Sequence, residues 1–187
     1  MKRTVKTLLA AVLVMGAGSL CYGADQIDNP TYKAWSKFKP GTSATMKMES
    51  DAGGMKSETE TTTTLVELNA DKAVVETKMS MNAGGQKMDM PAQKTDVPAK
   101  LDKPPEAAAP NTPKPEVKES TEEVEIPGGK KVKAKVTETK SDANGMKTVS
   151  KVWMSDEVPG GMVKMETTMD GTVKGTTTMK LTACDIK

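Results

Sequence analysis

Apolar and polar residues alternate one for one along most of this chain, and tight-turn residues interrupt the alternation at regular intervals. A period of two marks strands with one sheltered face and one wet face, so the pattern constrains the chain to antiparallel β structure. Met46 and Met48 alternate with Lys47 and Glu49, and Val75, Thr77, Met79 and Met81 alternate with Glu76, Lys78 and Ser80. Turn signals stand at Asp51-Ala52-Gly53-Gly54, Gly84-Gly85, Pro127-Gly128-Gly129, Asn144-Gly145 and Asp170-Gly171. Threonine and valine, abundant between these turns, favour pleated backbone because their branched Cβ restricts χ1. The expected fold is mainly β: a single curved antiparallel sheet or incomplete β-barrel of about eight strands, with one short N-terminal helix. Lys131, Lys133 and Lys135 alternate with Val132, Ala134 and Val136, and read as an outward guard on an exposed strand.

Other segments depart from the alternation. Residues 1–24 read as a secretory signal: Lys2, Arg3 and Lys6 precede an apolar core from Leu8 to Gly18, and Cys21-Tyr22-Gly23-Ala24 offers cleavage after Gly23 or Ala24. The core is shorter than the roughly 20 residues a spanning helix needs, so removal is expected rather than anchoring. Leu20 directly precedes Cys21, where a lipid-modified cysteine usually follows a small residue. The mature chain is therefore expected to be periplasmic or secreted, with no transmembrane segment. Residues 25–41 hold the helix. Asn29 is a cap, Pro30 fits the first turn, and Tyr32, Trp35 and Phe38 share one face as an apolar plug on the sheet. Residues 42–100 form a first strand set, 119–187 a second set of the same domain, and 101–118 a connector. Five prolines within that connector cannot join a ladder. Strand signals resume at Glu122 and continue through Met146–Met154, Met162–Met169 and Val173–Ala183.

The two sets contain a repeat. Ser50 to Lys56 (SDAGGMK) matches Ser141 to Lys147 (SDANGMK) at six of seven positions, at an offset of 91 residues. Two readings stand: convergence of similar hairpins, or a duplicated strand set with one copy on each side of the connector.

Composition narrows the function. Removing the leader takes three of the 27 basic residues and none of the 25 acidic ones, leaving 24 against 25 and a net charge of −1. This balance gives no electrostatic footprint for nucleic acid. Histidine is absent, which removes the commonest general base and metal ligand. There is no Gly-x-Ser-x-Gly, phosphate loop or zinc spacing. Glutamate pairs such as Glu58/Glu60 and Glu122/Glu123 lie among lysines and threonines and read as wet surface. The expectation is a non-enzymatic protein without a cofactor. Cys184, the only cysteine after cleavage, reads as a small apolar side chain rather than a reactive thiol.

Methionine is the unusual component, with thirteen after residue 24 against four leucines and three isoleucines. The pairs Met46/Met48, Met79/Met81 and Met88/Met90 place two thioethers on one side of a strand. These six residues, with Trp35 and Phe38 from the helix, are the candidate binding residues. Flexible thioether chains on a concave face can repack around an apolar ligand such as a lipid or a lipidated partner. Two alternatives use the same residues differently. Thioethers are soft ligands that select Cu(I), for which the donors are Met79, Met81, Met88 and Met90. The methionines can equally serve a structural or surface-interaction domain as ordinary apolar positions. Trp153 is out of phase with Val152 and Met154 and reads as a loop anchor.

The segment Val152-Trp153-Met154-Ser155-Asp156-Glu157-Val158-Pro159-Gly160-Gly161-Met162-Val163-Lys164-Met165-Glu166 resembles part of the LolA/LolB-like envelope proteins. There a strand ending in an aromatic residue turns through a short loop and proline into an outward strand. The resemblance implies an open half-barrel wrapped around helices, with a cavity for lipid or lipoprotein acyl chains. The Met- and Thr-rich face and the Pro-rich insert depart from that pattern.

Overall fold

The glycine-containing turns close a succession of hairpins. The computed structural model describes residues 26–103, 115–143, 145–172 and 174–187; residues 1–25, on which the expected signal falls, the centre of the Pro-rich connector, Asn144 and Val173 lie outside them. A short strand β1 (Gln26–Asp28) and helix α1 (Pro30–Trp35) precede β2 (Ser43–Ala52), β3 (Met55–Leu68), β4 (Lys72–Ala83) and β5 (Gln86–Pro98). Then follow β6 (Lys100–Asp102), β7 (Glu116–Glu125), β8 (Lys131–Ala143), β9 (Met146–Met154), β10 (Met162–Asp170) and β11 (Gly175–Asp185). Strands β1 and β6 pair with each other, and the other nine form one antiparallel sheet in the order β5-β4-β3-β2-β11-β10-β9-β8-β7. The chain steps outward from β2 to the β5 edge, resumes at the β7 edge, and steps back until β11 pairs with β2. The two strand sets are thus joined at the middle of one sheet, which is not closed into a barrel.

The main sheet has nine described strands, in keeping with the expected count of about eight. Several boundaries differ from the sequence reading. The helix ends at Trp35, and Phe38 lies in the following turn, where its N–H donates to the Trp35 carbonyl. The flanks of the connector are strand: β6 takes Lys100–Asp102 and β7 begins at Glu116. Strand β5 runs through Pro91 because it is an edge strand with a register shift between Met90 and Gln93, where a missing donor costs no ladder bond. The lysine strip of β8 is exposed, but β8 is second from the edge and β7, with charges on both faces, is the guarded strand. Both copies of the SDA-motif are hairpins, β2–β3 and β8–β9. Each opens a four-strand run, β2–β5 and β8–β11, laid in the same order across the sheet. Register makes Met79 and Met90 the counterparts of Met165 and Met179: Thr61, Met79 and Met90 are neighbours in one run, and Val152, Met165 and Met179 in the other.

The buried core changes face along the sheet. Ala44, Leu65, Ala73, Val75 and Val97 are buried beneath α1, with Trp35 fully enclosed and Tyr32, Phe38, Met46 and Leu68 packed at the margin. Asn29 fixes the helix there: its Oδ1 accepts from the Thr31 and Tyr32 amides, and its Nδ2 donates to the Pro98 carbonyl at 2.7 Å. In the second strand set the register puts Trp153 beside Val136, on the side opposite Val152 and Met165. Val132, Ala134, Val136 and Trp153 are therefore buried on the other face. The loop between β9 and β10 connects the two regions, with Val158 fully buried and the Trp35 ring lying on Gly160. A Cβ at Gly160 would stand 3.2 Å from Trp35 Cζ2, and its φ of +75° favours glycine independently.

Candidate functional site: a methionine face and a charged face

Strand register sorts the methionines onto one face. Met79 lies directly opposite Met90, and Met81 opposite Met88. Residues two apart on a strand share a side, so these four form a block at the β4–β5 edge. A row continues from it across the sheet through Met88, Met81, Thr59, Met48, Met179, Met165 and Val152. It crosses seven strands, six spacings of about 4.8 Å, or roughly 29 Å in all. A neighbouring row runs through Met90, Met79, Thr61, Met46 and Leu181. On the other side of the long row lies a hydroxyl ladder of Ser57, Ser50, Thr177, Thr167, Ser150 and Thr139. Within it Ser50 and Thr177 hydroxyls are 3.2 Å apart, and Ser150 and Thr167 hydroxyls 3.1 Å apart.

The candidate residues differ in exposure. Met46, Met48, Met79 and Met81 are half-buried, whereas Met88 and Met90 are 57% and 47% exposed. Trp35 is buried in the core under α1; Leu181 of the neighbouring row belongs to the same core, and Met46 and Phe38 pack against it. A hollow of about 60 Å³ opens on the methionine side, lined by Thr77, Met79, Met90, Pro91 and Gln93. A larger hollow, about 560 Å³, lies on the reverse side near the Gly84-Gly85 turn, lined mainly by Glu49, Asp51, Lys56, Glu58, Asn82, Thr176 and Thr178. Met165 and Met179 belong to the long row although neither forms a Met-x-Met pair. The signal for them was cross-strand register, which one strand's alternation does not contain.

The reverse face is a lattice of charge. Lys47 Nζ bridges Glu58 at 2.9 Å and Glu49 at 3.1 Å, and these two carboxylates hold its ammonium above the ordinary lysine range. Lys164 pairs with Glu166, and Lys140 with Glu138. At one end this lattice meets Trp153. The Trp153 Nε1–H donates to Glu122 at 2.8 Å, Lys151 Nζ donates to the same carboxylate at 2.9 Å, and the ammonium groups of Lys151 and Lys164 lie 4.6 and 4.8 Å from the ring centroid. Trp153 is thus a strand residue clamped between β7 and β10, not a loop anchor.

The indole N–H, and after it Lys151, hold the Glu122 carboxyl below the ordinary glutamate range. A carboxyl depressed in the folded state adds stability above its unfolded pKa of about 4.3, and that contribution is lost as pH falls through the lower folded value. Acidification below about pH 4 is therefore expected to release β7 from Trp153. The check is Trp153 fluorescence in a Trp35→Phe background. An acid transition is expected that Glu122→Gln removes, and a transition unchanged by Glu122→Gln contradicts the assignment.

The described residues offer little else for chemistry. No group of three Cys, Asp or Glu side chains gathers for a metal ion among them, and no described helix is long and apolar enough to cross a membrane. Burial, and then the neighbouring Asp185, push the half-buried Cys184 thiol above its usual range, away from thiolate reactivity. Comparison with protein-family models, with curated proteins and with solved structures finds no match.

Proposed function

We propose that this is an exported, non-catalytic protein that binds an apolar ligand, a lipid or a lipidated partner, on its methionine face. One observation carries the reading: the two methionine rows form a largely apolar stripe, interrupted by Thr59 and Thr61, whose exposed β5 edge at Met88 and Met90 is left open while α1 covers the aliphatic end of the same face. A sheet normally buries one face against a second layer, and an exposed contiguous apolar stripe marks a binding surface. The stripe's length of roughly 29 Å and its flexible thioethers suit a long acyl chain laid across the strands, and the adjoining hydroxyl ladder suits a polar headgroup. The LolA/LolB-like resemblance points the same way, since it implies acyl chains held against an open antiparallel sheet. Export rests on the leader-like residues 1–24.

The test is native mass spectrometry of the protein purified from its host, followed by titration with a fluorescent long-chain fatty acid. A lipid-sized adduct is expected. The double variant Met48→Lys/Met81→Lys is expected to bind the fatty acid at least 10-fold more weakly, while Thr176→Lys on the reverse face leaves binding unchanged. Absence of both adduct and titratable binding overturns the reading and leaves a structural or surface-interaction domain.

A further inference from the structure

We propose that Met79, Met81, Met88 and Met90 form a thioether site for Cu(I) at the β4–β5 edge. This goes beyond the apolar-ligand reading, because it assigns a metal to one end of the same face. The register supplies the geometry. Met79 faces Met90 and Met81 faces Met88, so the four Cβ positions form a rectangle about 5 Å across the strands and about 7 Å along them. Each side chain has three rotatable bonds, enough for the sulfurs to converge on one ion above the sheet. The donor set is uniformly soft and neutral, which selects Cu(I) over the divalent ions that prefer imidazole or carboxylate. The charged neighbours Lys78, Lys87 and Asp89 alternate onto the reverse face, where Lys87 pairs with Asp89.

Exposure separates this block from core filler. The same two strands fill their buried end with Ala73, Val75 and Val97, all enclosed. Methionine replaces aliphatic residues only toward the open end, where Met88 and Met90 are about half exposed. At the Met79–Met90 side of the block a hollow of about 60 Å³, lined also by Thr77, Pro91 and Gln93, leaves room beside those two sulfurs, since even a water molecule needs only about 10–15 Å³.

The experiment uses the full chain carrying Cys21→Ser and Cys184→Ser, which leaves thioethers as its only sulfur donors. Cu(I), kept reduced with ascorbate under anaerobic conditions, is partitioned against a chromophoric Cu(I) chelator. One Cu(I) per chain is expected to be withheld from the chelator. Met79→Leu/Met90→Leu is expected to weaken retention at least 10-fold, and Met165→Leu/Met179→Leu to leave it unchanged. Leucine keeps the apolar volume, so these variants are expected to fold, as circular dichroism would show. Fatty-acid titration of the starting chain is an independent readout: Cu(I) withheld without fatty-acid binding, or fatty-acid binding without Cu(I) withheld, separates failure of the apolar site from failure of the metal site. Retention unchanged in Met79→Leu/Met90→Leu, or no Cu(I) withheld by the starting chain, overturns the proposal.

Discussion

Replacing Trp153 with alanine is expected to destabilise the protein by about 3–5 kcal/mol, the usual cost of removing a large buried aromatic side chain. For a chain of this size that lowers Tm by about 2–4 °C per kcal/mol, or roughly 10 °C. The ring is 5% exposed and sits between Val136 and two lysine ammonium groups, with its N–H committed to Glu122. Three contributions disappear together: apolar burial, the hydrogen bond to a charged group, and the cation–π contacts. Trp153→Phe separates them, because it keeps most of the ring and loses the donor; its expected cost is about 1.5–3 kcal/mol, the range for a hydrogen bond to a charged group. Urea unfolding followed by circular dichroism measures both. A cost under about 1 kcal/mol for Trp153→Ala, well below the range for a buried aromatic, contradicts its burial on the reverse face.

Leu65→Ala is expected to cost about 2–5 kcal/mol. Leu65 is fully buried at the α1 end, and its own amide and carbonyl bind Thr42 and Gly41, so the surrounding backbone is held and the cavity cannot easily collapse. The methionine rows predict a contrast. Met48→Leu conserves apolar volume at a half-buried position and is expected to cost under about 1.5 kcal/mol. Stability then belongs to the aliphatic end of the sheet, and the methionine end is free to serve a ligand. If Met48→Leu proves as damaging as Leu65→Ala in the same urea titration, the rows are core and the binding surface disappears.

Much of this architecture was legible in local pattern. The alternation around Met46, Val75 and Val132 placed strands, and the Gly53-Gly54, Gly84-Gly85 and Gly128-Gly129 turns placed their ends, because period and positive φ are local properties. The Asn29-Pro30 start was legible for the same reason, while the helix's early stop at Trp35 was not. Long-range facts were beyond local pattern. Ser50 and Thr177 become neighbours across 127 residues when β11 closes on β2, and no turn signal encodes that pairing. The start of strand β7 is not legible in the sequence, because Glu116 to Thr121 is exposed on both faces, which erases the alternation. Burial of Trp153 on the reverse face was likewise hidden. Period two says which residues share a side, but not which side a neighbouring strand or loop will cover. The Met-x-Met pairs were visible in sequence, whereas the opposition of Met79 to Met90 and of Met81 to Met88 needed the register.

The shared methionine face is tested most directly by the ε-methyl groups themselves. In protein labelled with ¹³C-methyl methionine, nuclear Overhauser cross-peaks are expected for Met79–Met90, Met81–Met88, Met48–Met179 and Met179–Met165, and a soluble paramagnetic agent is expected to broaden the exposed Met88 and Met90 more than the half-buried Met48, Met79, Met81, Met165 and Met179. Absence of those cross-peaks, or protection of Met88 and Met90 from the agent, would contradict an open methionine face.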